Sequence, residues 1–279
     1  MTFLNKKIGF IGGGQMGEAI IKGLLNAGQF KREEIYVMDI LQARLTYLQE
    51  IFQLIHVTSS IETGYQYLLE NCDVILLAVK PQVLKEVLGY IQQGPWRKEH
   101  FVISIVGGGK TAAIEAYLKE IPVVRVIPNT PMLVNVGASG IALGRYATQE
   151  HGDITLRIFE KLGIAVPVKE ALIDPITSVS GTGPAYVYML IEALADGGVE
   201  GGLTREVAQT LAAQTVLGAA KMVLESPEHP ERLKDRVCSP GGATIAGVRV
   251  LEEGGFKGLV MKAVHAGRLR MEEVGRTAD

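Results

Sequence analysis

Through about residue 170, short runs of β-branched and aliphatic residues alternate with stretches whose apolar positions recur at helical spacing. The runs predict strands at 8–11, 35–38, 55–57, 74–79, 101–106 and 123–127, with weaker segments at 141–143 and 165–168. Between the first two, Met16, Ala19, Ile20, Gly23, Leu24 and Ala27 form one inward stripe and complete a strand-helix-strand unit. This rhythm predicts a parallel sheet covered by helices on both faces. After Asp174-Pro175 the β-branched runs fade into Ala-rich segments punctuated by glycine, so the second half reads as all-helical. Thr204 suits the N-cap of a helix running to about Glu225, and Ala208, Ala212, Ala213, Ala219 and Ala220 allow helices to approach closely. The expected domain boundary gives residues 1–170 to the α/β part and 171–279 to the helical part.

Composition narrows the function classes. A chain of 279 residues suits two domains, and a net charge of -2 lacks the basic footprint that nucleic-acid or anionic-membrane binding requires. Neither nucleic acid nor membrane is an expected partner. Cys72 and Cys238 are far apart and in no metal-ligand spacing, which argues against disulfides and metal and for a reducing, cytoplasmic setting. Lys6-Lys7 is followed by only four residues before a glycine cluster, so an export signal is not expected. The apolar run 74–79 is far shorter than the roughly 20 residues a spanning helix needs.

Gly12-Gly13-Gly14-Gln15-Met16-Gly17 satisfies GxGxxG directly after a strand and at the start of a helix. Gly12 suits the tight turn, Gly14 admits a pyrophosphate, and Gly17 permits close helix-strand packing while free N–H groups face the anion. The α/β part is therefore expected to be a Rossmann-like dinucleotide-binding domain. Asp39 ends the second strand 22 positions after Gly17, where a carboxylate would accept the ribose hydroxyls of NADH and repel the phosphate of NADPH. Arg44 lies close enough in sequence to offset part of that repulsion. Three further turns leave the same carboxyl edge of the sheet: Ala78-Val79-Lys80-Pro81, Ser104-Ile105-Val106 with Gly107-Gly108-Gly109, and Pro128-Asn129-Thr130-Pro131.

In the helical half, Ser180-Gly181-Thr182-Gly183-Pro184 and Ser239-Pro240-Gly241-Gly242-Ala243-Thr244 each open a helix. Hydroxyls and unpaired N–H groups at a helix start suit a small carboxylate, and Thr244 adds a neutral donor and acceptor for a substrate nitrogen. His56, His100, His151, His229 and His265 are scattered, and no HExxH, G-x-S-x-G or P-loop lysine occurs, so hydrolysis and phosphoryl transfer are not expected.

Taken with Ile8-Gly9-Phe10-Ile11-Gly12, Tyr186 and Leu233-Lys234-Asp235, these motifs resemble pyrroline-5-carboxylate reductases over nearly the whole chain. The resemblance implies hydride transfer from NADPH or NADH to the C=N bond of 1-pyrroline-5-carboxylate, giving L-proline. It also implies a helical dimerisation domain, a homodimer that can assemble further, and an active site completed by the partner. Carried onto matching positions, it gives Gly12, Gly14, Gln15, Met16 and Gly17 to the pyrophosphate. Ala78, Val79, Lys80, Pro81, Ile105, Val106, Gly107 and Asn129 join Asp39 on the cofactor, while Ser239, Gly242, Ala243 and Thr244 take the substrate. Thr244 is the expected catalytic residue. Asp39 departs from the small polar residues many members carry there, and an acidic residue that some carry one position before Glu228 is not transferred. A β-hydroxyacid dehydrogenase, with Lys221 handling the hydroxyl proton, is the rival enzyme reading.

Overall fold

The computed structural model describes residues 6–278, with the side chains of all but residues 62 and 274–278. Strands β1 (Ile8–Ile11), β2 (Ile35–Met38), β3 (His56–Thr58), β4 (Val74–Leu77), β5 (Phe101–Ser104), β6 (Val123–Ile127), β7 (Gly137–Leu143) and β8 (Gly163–Pro167) form one sheet in the order β3-β2-β1-β4-β5-β6-β7-β8. Helices α1 (Gln15–Asn26), α2 (Gln42–Phe52), α3 (Ile61–Asn71), α4 (Leu84–Ile91), α5 (Thr111–Leu118) and α6 (Gln149–Glu160) connect them. β1 through β6 pair in parallel, as expected, but β7 runs antiparallel to β6, and β8 follows β7 in parallel. The turn 128–136 links β6 to β7 without a crossover helix, which reverses the chain direction.

Side-chain alternation explains why the strands form. Ile8, Phe10, Ile35, Val37, Val74, Leu76, Phe101 and Ile103 enter one core with Ile20 and Leu24 of α1 and Ile158 of α6. Their neighbours Ile11, Tyr36, Met38, Ile75, Leu77 and Val102 enter a second core with Leu68, Leu88 and Ile114 from α3, α4 and α5. Period-two side chains thus feed both faces, which is why the central strands are apolar throughout. The predicted runs 74–79 and 101–106 overshoot β4 and β5, because Val79 and Val106 remain apolar to pack the second core after the ladder ends.

The remaining helices are α7 (Ile173–Ile176), α8 (Gly183–Glu200), α9 (Arg205–Glu225), α10 (Pro230–Val237), α11 (Ala243–Glu253) and α12 (Phe256–Ala278). The chain divides into two compact units, residues 1–181 with 267–279, and residues 182–266. Residues 171–181, read from sequence as part of the helical half, begin in the first unit: Ile173 packs with Ile127 of β6 and Ala142 of β7. In the second unit, Thr204 caps α9 by accepting from the Val207 amide at 3.4 Å. Ala195 of α8 packs on Ala208 and Ala212 of α9, and these small side chains let the helices close together. Ala213, Ala219 and Ala220 of α9 are exposed instead.

Candidate functional site

β1 delivers the chain to the glycine loop with backbone geometry only glycine adopts comfortably. Gly12 has φ +102°, and a Cβ there would lie 2.5 Å from the Ala78 carbonyl oxygen. A Cβ on Gly17 would come within 2.7 Å of the Gly12 oxygen, so α1 starts hard against the turn. Gly14 is the N-cap of α1, brings no side-chain cap, and has nothing within 4 Å of where its Cβ would be. An uncapped helix N-terminus with open space before it fits the pyrophosphate of a dinucleotide.

Asp39 follows β2 and is tied to that loop. Its Oδ2 accepts the Gly13 amide at 2.7 Å and its Oδ1 accepts the Leu41 amide at 2.9 Å. A carboxylate offers about four acceptor sites, so two backbone bonds fix its orientation and leave capacity for ribose hydroxyls. The Arg44 Nε donates to the Gly13 carbonyl at 2.5 Å, while its guanidinium pairs with Glu18 of α1 and lies 4.9 Å from the Tyr47 ring centroid. Sequence pattern gave no sign of Glu18 or Tyr47, because the pairing joins the first turns of two separate helices.

Of the other cofactor-side expectations, Ala78, Val79, Pro81, Ile105 and Gly107 are half-buried at the carboxyl edge and Lys80 is exposed there. The Ala78 amide donates to Ile11 O and the Ile105 amide to Leu77 O, at 2.8 and 3.0 Å, which holds both turns beside the glycine loop. Val106 turns its side chain into the second core, so only its backbone faces the edge. Asn129 is likewise committed: its Nδ2 donates to Ser180 O at 3.0 Å and its Oδ1 accepts the Ala138 amide at 2.8 Å. Its side chain pins the start of β7 to the 177–181 turn instead of reaching outward.

The second constellation lies in the other unit. Gly242 is the N-cap of α11 without a side-chain cap, and its amide donates to Ser239 O at 3.0 Å, closing the turn. Gly241 has φ +69°, which favours glycine in that turn, and a Cβ on Gly242 would displace the Ser239 hydroxyl, 2.2 Å away. Ser239, Ala243 and Thr244 are exposed on it. Nearby in sequence, Glu228 accepts from Arg236 at 2.6 Å through Oε1, whereas its buried Oε2 has no partner among the described residues.

His56, His100 and His151 all have pKa values lowered from the ordinary histidine range, mainly by burial. Lys221 sits exposed on α9 and pairs with Glu225 at 3.7 Å, a helix-surface pair one turn apart. Among the described residues no cluster of three metal-ligating side chains occurs.

Two family models match successive parts of the chain. Residues 170–274 match the model for pyrroline-5-carboxylate reductase dimerisation, and residues 7–108 match that for NADP oxidoreductase, coenzyme F420-dependent. A pyrroline-5-carboxylate reductase of Synechocystis sp. is 43% identical, with 97% of this chain and 98% of the relative covered. The solved structure of a pyrroline-5-carboxylate reductase from Coxiella burnetii superposes with a TM-score of 0.88 at 35% identity, covering 97% of this chain and 98% of that one. The Plasmodium falciparum pyrroline carboxylate reductase, solved with NADP bound, gives 0.85 at 36% identity, covering 98% and 99%. With both units and both turns inside that likeness, the chain belongs to the pyrroline-5-carboxylate reductase family.

Proposed function

We propose that this protein reduces 1-pyrroline-5-carboxylate to L-proline with NADH or NADPH. The observation that carries the reading is the presence, in one chain, of an uncapped glycine-loop helix at the sheet edge and a second uncapped helix start bearing Thr244. When bound, the reduced nicotinamide would supply a hydride to the imine carbon of the ring, C2 of 1-pyrroline-5-carboxylate, which becomes C5 of proline. Gly12, Gly14, Gln15, Met16 and Gly17 hold the pyrophosphate, Asp39 the ribose, and the turns at Ala78-Pro81 and Ile105-Gly107 flank the nicotinamide side. The backbone of Ser239 through Ala243 clamps the substrate carboxylate at the α11 N-terminus. Thr244 Oγ1 hydrogen-bonds the ring nitrogen, keeping the protonated imine oriented for attack.

The homodimer belongs to the same reading. α9 is 21 residues long and contains an 18-residue stretch with mean hydropathy 1.2, apolar enough to cross a membrane by length and composition, and only 11% of that stretch is buried. Yet it carries Arg205, Glu206, Gln209, Gln214 and Lys221, a distribution better suited to packing against another protein chain than to lipid. A second copy covering the helical unit, a boundary near residue 170 and a cytoplasmic setting complete the proposal. Loss of reduced-nicotinamide absorbance on adding 1-pyrroline-5-carboxylate tests it. Thr244→Ala should lower turnover about tenfold to a hundredfold, the worth of a hydrogen bond to a charged group, with cofactor affinity nearly intact. Unchanged turnover at saturating substrate removes Thr244 from the mechanism.

A further inference from the structure

The charges beside the ribose position are arranged by a single backbone unit. The Gly13 amide donates to Asp39 and the Gly13 carbonyl accepts from Arg44, so one residue of the loop holds the acid and the base on its two sides. Arg44 makes no direct ion pair with Asp39 among the described residues. Its partner is Glu18, a residue of the first turn of α1, and the Glu18 Oε1 accepts in turn from the Tyr47 hydroxyl at 3.4 Å. Both long side chains are largely enclosed, with Arg44 23% and Glu18 21% exposed. The guanidinium is thus held by a carbonyl, a carboxylate and a ring face. In dinucleotide folds an acidic residue at the end of the second strand takes the ribose 2′-hydroxyl, and an arginine nearby serves the 2′-phosphate of NADP. This chain possesses both, and the structure engages the arginine elsewhere.

We infer that Glu18 is a specificity-determining residue: by holding Arg44 against the glycine loop it keeps the guanidinium out of a direct ion pair at the ribose position, where the Asp39 carboxylate then dominates, so the site selects NADH over NADPH. The inference rests on the cofactor reading of the glycine loop. Glu18 acts through Arg44 and Asp39 and is a positioning residue. Removing its charge frees Arg44 to turn toward a 2′-phosphate, whereas removing Asp39 takes away the repulsion directly. The two changes reach the same preference by separate routes, and only the first depends on Arg44.

Dissociation constants for NADH and NADPH, from cofactor fluorescence without imine, test this in the full-length protein. The wild type should bind NADH about tenfold more tightly than NADPH, the scale of one unscreened charge contact. Glu18→Gln, which keeps the shape and a hydrogen-bonding group, should tighten NADPH about fivefold and alter NADH less than about twofold. Adding Arg44→Met should abolish that gain. Asp39→Ser should weaken NADH and tighten NADPH whether or not Glu18 is changed. A preference ratio unmoved by Glu18→Gln, in a protein whose Asp39→Ser variant does shift, overturns the role of Glu18. An equal or NADPH-favouring ratio in the wild type overturns the selection itself. Failure of the wild type to reduce the imine while these ratios hold would instead strike the proposed reaction.

Discussion

Two glycines two positions apart in the loop do different work, and alanine separates them. At Gly12, alanine would be forced to φ +102° and its Cβ to 2.5 Å from the Ala78 carbonyl oxygen, so β4 or α1 must shift. Gly12→Ala should lose about 2–4 kcal/mol of stability, the range for strain combined with overpacking, and cofactor affinity with it. At Gly14 the same methyl meets nothing within 4 Å, so Gly14→Ala should melt within about 2 °C of the wild type, the effect of a near-neutral surface change. It should still weaken NADH binding, because the methyl occupies the approach to the helix N-terminus. Calorimetric melting and cofactor titration on both variants check the contrast, and equal loss of stability in the two would contradict it. The spacing of these glycines was legible in the sequence because the turn needs Gly12 by conformation and an anion at the helix start needs the open approach that Gly14 leaves. Asn129 was legible only as a polar residue in a rigid turn: nothing local reveals that Ser180 O, 51 positions away, would claim its amide.

At the level of elements, β6 carries the clearest example of a residue whose partners the pattern concealed. Arg125 interrupts the apolar run Val123-Val124-Arg125-Val126-Ile127, is only 3% exposed, and faces Glu170 and Asp174, each at 3.4 Å. Glu170 also accepts from the Thr111 amide and hydroxyl at 2.7 Å, so the ion pair fastens the start of α5 and the approach to α7 onto the strand. The energetics are asymmetric. The carboxylates are 28% and 29% exposed and can be rehydrated, whereas the guanidinium cannot. Glu170→Ala combined with Asp174→Ala should therefore cost about 3–5 kcal/mol by stranding a buried charge, and Arg125→Met clearly less. Urea unfolding of both variants decides it, the reverse order being the contrary result. The central strands were readable because burial on both faces makes them continuous apolar runs. β7 was seen only at 141–143, since its first half, Gly137-Ala138-Ser139-Gly140, is small rather than β-branched. Its antiparallel direction depends on a turn packed against the sheet, which periodicity does not encode.

For the molecule as a whole, the helical unit exposes more apolar surface than an isolated chain ordinarily leaves in water. Tyr188 and Met189 of α8, Leu217 and Leu224 of α9, and Leu259 and Met261 of α12 are each more than half exposed. The change from β-branched runs to Ala-rich helices announced this unit in the sequence, but the exposed faces emerge only once α8 and α9 have spent their small residues on each other. Since the two candidate turns belong to different units, cofactor binding and imine reduction make different demands on assembly. The glycine loop, Asp39 and the flanking turns all belong to the first unit, so NADH should bind to a chain that has no partner. On the proposed reading, reduction would additionally need the Thr244 turn, and the resemblance implies that a partner copy supplies it. Leu217→Glu with Met261→Glu places charges on the exposed sides of two helices of that unit, and each carboxylate buried unpaired in an interface would penalise docking by several kcal/mol. The double variant should sediment as a species of one chain at concentrations where the wild type sediments as two. Its NADH dissociation constant should stay within about twofold of the wild type, while imine turnover falls at least about a hundredfold, the loss expected when a positioned catalytic contact is withdrawn. A single-chain species with full turnover would show that one copy holds the whole active site, and the shared-site proposal would have to be abandoned.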